Sequence, residues 1–164
     1  MFSIFIIIAI IAVAFYAITH FLSLDNCAQI GMFYDDFQGE ITQAWKDEIY
    51  EDTFVVKLPK EVETVCFGTL SQLTTFAPDQ PIQEELKNKY SSSTDTYVFL
   101  IPKKDNELCE GMSRLKLQHA EASDDYLLDT NKFFCKPAID LSKPDTTIRL
   151  KISSTESLVS ILKS

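Results

Sequence analysis

Four cysteines are the residues of this chain whose type and number say most about its chemistry. They are Cys27, Cys66, Cys109 and Cys135, and all of them follow an uncharged N-terminal segment. No two of them form a C-x-x-C pair, and closely spaced ligands are typical of a tetrahedral zinc site, so we expect no metal and no cofactor. An even number of cysteines behind an export segment is typical of two disulfides formed in an oxidising compartment.

The pairing of the cysteines stays open at the level of sequence, because four cysteines allow three connectivities. We favour Cys27–Cys66 together with Cys109–Cys135, since both closed loops are then of moderate length. Each loop would stabilise the fold by about 3–4 kcal/mol if the bond acts by restricting the unfolded chain. The alternative is that some of the four are buried free thiols.

Residues that could catalyse a reaction are otherwise scarce. His119 is the only histidine after the N-terminal segment. It falls in a run of alternating apolar and polar residues, which favours a place on a strand over a role as general base. The chain has no phosphate-binding glycine motif, no nucleophilic-serine motif and no metalloprotease motif. We therefore predict a protein without enzymatic activity, and an anchored hydrolase that uses His119 is the minor alternative.

Acidic residues occur in adjacent pairs, which raises the question of calcium binding. None of the pairs shows the alternating D-x-D-x-D spacing of a calcium-binding loop, so we interpret them as solvated surface. The pairs are Asp35–Asp36, Asp47–Glu48, Glu51–Asp52 and Asp124–Asp125.

The overall charge excludes one class of partner. The 164 residues include 24 acidic and 15 basic ones, for a net charge of −9. Affinity for nucleic acid comes from clustered Lys and Arg, so we expect no nucleic-acid partner. A hydrophobic fraction of 46% and an aromatic fraction of 12% exclude a disordered chain.

The N-terminal segment, residues 1–24, contains no Asp, Glu, Lys or Arg. A helix of about 23 residues spans roughly 34 Å, enough for a bilayer core of about 30 Å. We therefore predict that residues 1–24 are a transmembrane signal-anchor helix, with the lipid bilayer as a partner. Two alternatives are a signal peptide cleaved at Ala12–Val13–Ala14 and a buried helix of a soluble protein.

The remaining residues, 25–164, are enough for one domain. Lysine and arginine are absent near both ends of the apolar segment, with Lys46 the first, so the positive-inside rule does not orient the chain. The expected disulfides do orient it. We predict a single-pass protein of the cell membrane with residues 25–164 as an extracytoplasmic domain.

Hydrophobic periodicity predicts the α+β class, with one main amphipathic helix and one short helix on a small antiparallel sheet. The main helix follows an exit segment at Asn26–Ile30, and its apolar residues recur every fourth position from Phe33 to Ile49. Pro81 opens the short helix. Strands are expected over 53–59, 63–70, 96–102, 114–122, 146–153 and 157–163, mostly in local pairs, with the first two and the last two as hairpins. Residues 126–141 read as irregular.

The first part of the chain resembles a group of small, uncharacterised single-pass membrane proteins of archaea. The resemblance covers residues 1–70 and lies in the anchor, the Ala44–Trp45 dipeptide, a short acidic stretch, Leu58–Pro59 and the run Val65–Cys66–Phe67. It implies the layout of an anchor followed by a domain.

A looser resemblance in layout is to type IV pilin-like subunits, which also place an apolar helix before a β-rich domain. The chain lacks their charged leader and their acidic residue near the start of the helix.

These features together predict a membrane-tethered extracytoplasmic domain that interacts with another protein or with a component of the cell envelope. The alternative is a structural subunit of a surface filament, which the pilin-like layout implies.

Overall fold

The computed structural model describes residues 2–47, 49–71, 79–90, 94–103, 108–109, 111–123, 132–138, 148–152 and 157–163. The side chains of residues 2–5, 9, 18–24 and 163 are outside this description. Within these ranges the chain combines helices with two β-sheets, which confirms the predicted α+β class.

Two helices and eight strands occur in the described ranges. The helices are α1 (Phe2–Lys46) and α2 (Gln80–Tyr90), and the strands are β1 (Tyr50–Phe54), β2 (Val62–Gly68), β3 (Tyr97–Pro102), β4 (Arg114–Lys116), β5 (Ala120–Ser123), β6 (Phe133–Pro137), β7 (Ile148–Ile152) and β8 (Val159–Lys163). The short helix expected at Pro81 is confirmed as α2, with Leu86 buried.

Helix α1 is continuous over 45 residues, so the expected exit segment at Asn26–Ile30 is wrong. The region between the apolar segment and Asp36 contains no proline, and its only glycine is Gly31. Extending a helix costs far less than starting a new one, so nothing in this stretch favours an interruption. The apolar segment and the main amphipathic helix are therefore one element.

The buried face of α1 follows the helical period more closely than the four-residue spacing does. Positions four apart rotate by about 40° around a helix, so a strict four-residue series leaves the core after a few turns. Phe33, Phe37 and Ile41 are buried as expected, whereas Trp45 is 42% exposed and Ile49, beyond the helix, is 81% exposed. The buried residues of α1 are Ile30, Phe33, Tyr34, Phe37, Ile41 and Ala44.

The strands form two sheets of four, so the expected single small antiparallel sheet is wrong. The first sheet has the order β1–β7–β8–β5, and the second has the order β4–β3–β2–β6. All pairs are antiparallel except β5 with β8, which is parallel. The expected hairpin of the last two strands is confirmed as β7 and β8, and Ile148, Leu150 and Ile152 point into the core as their alternation predicts.

The expected hairpin between residues 53–59 and 63–70 is wrong, because β1 and β2 lie in different sheets. Strand β2 is buried on both faces from Val65 to Gly68, which suits a central position between β3 and β6. Strand β1 exposes its middle residues and lies at a sheet edge, paired with β7. Burial of both faces therefore separates two strands that are neighbours in sequence.

The strand expected over residues 114–122 is also wrong as a single element. It is two short strands, β4 and β5, which belong to different sheets. His119 lies between them with a φ angle of 61°. This left-handed conformation cannot continue an extended strand, so the chain turns from one sheet to the other here.

The main core lies between α1 and the two sheets. Phe37 meets Phe54 of β1 and Phe67 of β2, with ring centroids 5.0 and 5.6 Å away. A smaller cluster on the far side of the second sheet joins α2 to β2, β3 and β6, through Leu86, Phe99 and Phe133. Within the described part of the chain, no helix has both the length and the hydrophobicity that crossing a membrane requires.

Candidate functional site

All four cysteines are bonded in the structure, which confirms two disulfides, but the favoured pairing is wrong. The bonds are Cys27–Cys109 and Cys66–Cys135. Cys66 and Cys135 are register partners on the adjacent strands β2 and β6. Because β6 lies next to β2, Cys135 lies beside Cys66 and bonds to it. Cys27 on α1 therefore bonds to the remaining cysteine, Cys109, in the segment after β3.

Residues 108–109 and 111–113 are held against α1 and α2 by several contacts. The Tyr34 hydroxyl donates a hydrogen bond of 2.7 Å to the carbonyl oxygen of Met112, three residues after the disulfide-bonded Cys109. The hydroxyls of Tyr90 and Ser113 lie 2.6 Å apart. Burial, and to a lesser extent Tyr90, raises the pKa of the Tyr34 hydroxyl well above its usual range. Tyr34 therefore stays a neutral donor.

His119 lies at the turn between β4 and β5, where it stacks on the indole of Trp45. The ring centroids are 3.8 Å apart and the rings are 13° from parallel. Beside this stack, the Gln38 side chain accepts a hydrogen bond from the Gln118 amide at 3.0 Å and donates one to its carbonyl at 3.3 Å. These contacts fix the turn on the end of α1, and they give His119 a structural role.

In the part of the chain that the structure describes, the ring contact of His119 is the stack on Trp45. All four cysteines are bonded to one another, so no thiol can act as a nucleophile. Among the described residues, no group of three His, Cys, Asp or Glu side chains is arranged to hold a metal ion.

The acidic pairs that the structure describes are exposed. Asp35, Asp36 and Asp47 face solvent. In β1, Glu51 forms an exposed ion pair of 3.0 Å with Arg149. Glu48, Asp124 and Asp125 lie outside the described residues.

Near β1, Glu40 accepts a hydrogen bond of 3.1 Å from the Tyr50 hydroxyl. Burial, followed by this bond and the negative charges of Glu40, Asp52 and Asp47, raises the pKa of Tyr50 to about 12. The contact ties the strand to the last third of α1.

The N-terminal part of α1 exposes large apolar side chains over several turns. Eight of them are between 50% and 73% exposed: Ile6, Ile7, Ile8, Ile10, Ile11, Val13, Phe15 and Tyr16. Burying such a side chain gains roughly 1.5–3 kcal/mol. In general, large exposed apolar surfaces mark sites of contact with a membrane or with another protein.

A groove opens between α1 and the chain that leaves β1, and we call it the α1–β1 groove. Its volume is about 400 Å³, and its lining residues are Gln29, Met32, Phe33, Asp36, Phe54, Val55, Lys57 and Leu58. The four from α1 follow the helical spacing of one face, and the other four come from the end of β1 and the segment after it.

Reasoning from the sequence missed this groove. It assigned residues 53–59 to a regular strand, which would have alternated its side chains instead of directing several of them toward α1. The one available signal was Met32, an apolar residue next to the buried Phe33 but outside the four-residue series.

Comparison with known proteins assigns no family to this chain: no protein-family model, no curated protein and no solved structure matches it.

Proposed function

We propose that this protein is a membrane-tethered extracytoplasmic domain without enzymatic activity, which interacts with another protein or with a component of the cell envelope. Residues 1–24 are its single transmembrane helix and residues 25–164 its body. The observation that carries the proposal is that α1 runs without a break from an uncharged apolar segment into the core of the domain.

The membrane part of the proposal rests on the sequence of residues 1–24 and on the exposure of the apolar side chains described there. That segment contains no charged residue. Seven isoleucines and several other apolar residues each favour insertion by a few tenths of a kcal/mol, about 5 kcal/mol in all. In water the same surface would be unfavourable, so a bilayer is the solvent that suits it.

The outward orientation is supported by the disulfides. Two bonds persist most readily in an oxidising compartment, and all four cysteines lie in the body of the domain. If residues 25–164 are outside, the N-terminus is on the cytoplasmic side.

The ring contact of His119 and the exposure of the acidic pairs support an interaction role. His119 packs on Trp45, and the described acidic pairs face solvent. The His119 stack holds a surface turn in place, and the acidic side chains keep the surface hydrated. A tethered binding domain requires both.

The test is thiol labelling of intact cells that produce the full chain. After treatment with a reductant that does not cross membranes, a maleimide that does not cross membranes should label the protein without lysis. Without the reductant, labelling should be absent. A variant with all four cysteines replaced by serine is the control for non-specific labelling. Labelling that appears only after lysis would overturn the outward orientation.

A second candidate is a structural subunit of a surface filament. One observation favours it: the continuous α1 has an exposed apolar part and a part that packs on a sheet, as in the layout of pilin-like subunits. Against it, residues 1–24 contain no glycine, and closely packed helix dimers typically have a pair of glycines four residues apart at their interface. Electron microscopy of material shed from cells decides between the two, because filaments made mainly of this chain would support the second.

A further inference from the structure

We infer that the Cys27–Cys109 bond is a site of thiol–disulfide exchange. An external dithiol opens this bond while Cys66–Cys135 stays closed, and the opening releases residues 108–109 from α1. The inference goes beyond the proposed function and does not depend on it, because it concerns the reactivity of one bond in the folded chain.

The two disulfides differ in how far solvent reaches them. Cys66 is fully buried and Cys135 is only 7% exposed. Cys27 and Cys109 are both half-buried, and the neighbouring Ala28 on α1 is exposed. A dithiol must bring one of its sulfur atoms up to the bond that it attacks, and exposed disulfides are the ones that exchange readily. Only the Cys27–Cys109 bond can be reached without first opening the fold.

The surroundings of the sulfur atoms act in the same direction. Cys66 and Cys135 belong to the apolar cluster under α2, where they lie with Leu86, Phe99 and Phe133. Attack on a disulfide releases one of its sulfur atoms as a thiolate, and an apolar interior disfavours that charge. At the half-buried Cys27–Cys109 bond, water can solvate the departing thiolate. Access and solvation therefore both favour exchange at this bond.

The exchange takes place in two steps. A thiolate of the dithiol attacks one sulfur atom of the Cys27–Cys109 bond, forms a mixed disulfide and releases the other cysteine, which takes up a proton. The second thiolate of the dithiol then attacks the mixed disulfide, releases the remaining cysteine and closes the dithiol into a cyclic disulfide. Two electrons pass from the dithiol to the protein, and its two thiol protons are balanced by those that Cys27 and Cys109 gain.

Opening the bond changes how the chain between β3 and β4 is held. In the described part of this connection, the disulfide joins Cys109 to α1, and the Tyr34 hydroxyl is hydrogen-bonded to Met112. Met112 and the following residue come directly before β4, so they stay in place when the disulfide opens. Leu108 packs against the core beside Cys109 and is half-buried. Without the covalent bond, we expect residues 108–109 to leave the side of α1 and to expose Leu108.

The experiment uses the full chain, purified in detergent, with dithiothreitol as the dithiol. Samples are taken during reduction, alkylated with N-ethylmaleimide and digested without further reduction, so that mass spectrometry identifies each free thiol. Thiols at Cys27 and Cys109 should appear together, about tenfold or more faster than those at Cys66 and Cys135, because the buried bond reacts only after local opening. The control is the same reaction in urea, where the two bonds should react within about threefold of each other.

A second measurement tests the release of residues 108–109. After selective opening and alkylation, brief digestion with trypsin should cut the chain after Lys103 about fivefold faster, because proteolysis follows the population of the locally open form. Cleavage after Lys57, which is also exposed but belongs to the segment after β1, is the control and should stay the same. The double variant Cys27→Ser with Cys109→Ser should show the same rise without any reductant or alkyl group.

The results separate the two parts of the inference. Equal rates of opening in the folded chain, or faster opening of Cys66–Cys135, would overturn the exchange site. Unchanged cleavage after Lys103, both in the selectively opened protein and in the double serine variant, would overturn the release. Neither result bears on the outward orientation, which the labelling of intact cells tests by itself.

Discussion

Cys27 on α1 is bonded to Cys109, which lies 82 residues further along the chain in the segment that follows β3. Cys27 comes three residues after the apolar segment ends. The bond therefore attaches the body of the domain to α1 at the point where the helix leaves the apolar segment. Tyr34, two turns further on, adds a hydrogen bond to Met112 of the same segment. A domain attached in this way cannot swing freely about its helix.

The first prediction concerns the pairing of the cysteines. Replacing Cys109 with serine should leave Cys27 as the one alkylatable thiol, with Cys66–Cys135 intact. A loop of this length contributes about 4 kcal/mol in the chain-entropy model, so urea should unfold the variant at a lower concentration. Mass mapping of the alkylated, non-reduced protein identifies the free thiol. The pairing in the structure would be refuted by a free thiol at Cys135.

The second prediction concerns the centre of the core. Phe37 is fully buried and touches the rings of Phe33, Phe54 and Phe67. Phe37→Ala should lower the free energy of unfolding by about 3–5 kcal/mol, since it removes a large side chain and leaves a cavity. The matched control is Ile49→Ala at an exposed position, which should change it by less than about 0.5 kcal/mol. Equal effects in denaturant unfolding would show that α1 does not pack as described.

The third prediction compares two glycines. Gly68 has a φ angle of 137°, and a Cβ atom there would meet the backbone of Lys132 and Phe133. Gly68→Ala should therefore destabilise the fold. Gly39 lies within α1 with open space around it, so Gly39→Ala should stabilise the fold by about 0.5–1 kcal/mol. Changes of the same sign in thermal unfolding would contradict the backbone path at the end of β2.

The fourth prediction uses Trp45, the only tryptophan in the chain. Its stacking on His119 shields one face of the indole. His119→Asn and His119→Gly both remove the ring and both tolerate a positive φ angle, so the backbone should keep its turn. The fluorescence of Trp45 should shift to longer wavelength in both variants. His119→Val should also destabilise the fold, by about 1–2 kcal/mol, because a branched residue resists this conformation. An unchanged emission spectrum in the Asn and Gly variants would rule out the stack.

The fifth prediction concerns alkaline pH. The pKa of Tyr50 is raised to about 12, from an ordinary value of 10.0, so the folded chain holds this proton more tightly than the unfolded chain does. The resulting stability is fully present below pH 10 and is lost as the pH rises toward 12, and the raised pKa of Tyr34 acts with the same sign. Tyr50→Phe should reduce the slope of this loss in unfolding measured against pH. Glu40→Gln should lower the pKa of Tyr50 in an ultraviolet titration. A Tyr50 that titrates at its ordinary pKa would contradict the contact with Glu40.

Much of the secondary structure follows from local periodicity. The apolar positions of Phe33, Phe37 and Ile41 predict a helix, and those of Ile148, Leu150 and Ile152 predict a strand with one buried face. In both cases the repeat of the side chains matches the repeat of the backbone, so a single segment carries the whole signal. The number of disulfides likewise follows from an even count of cysteines.

Strand β6 shows where local reasoning fails. Its residues Phe133 to Lys136 are all buried, so the segment shows no alternation and reads as irregular. Burial on both sides depends on what packs there, and that is a property of the assembled fold.

The sequence by itself determined the α+β class, the buried centre of the main helix at Phe33, Phe37 and Ile41, and the uncharged apolar segment at the start of that helix, because each is expressed within a short stretch of chain. Only the tertiary structure decided which strands pair, which cysteines bond and where the α1–β1 groove lies. These depend on residues far apart in the sequence, such as Cys66, which is bonded to Cys135, and Met32 and Val55, which line one groove. Many pairings satisfy the same local patterns, and the one that forms is selected by the burial of the whole core.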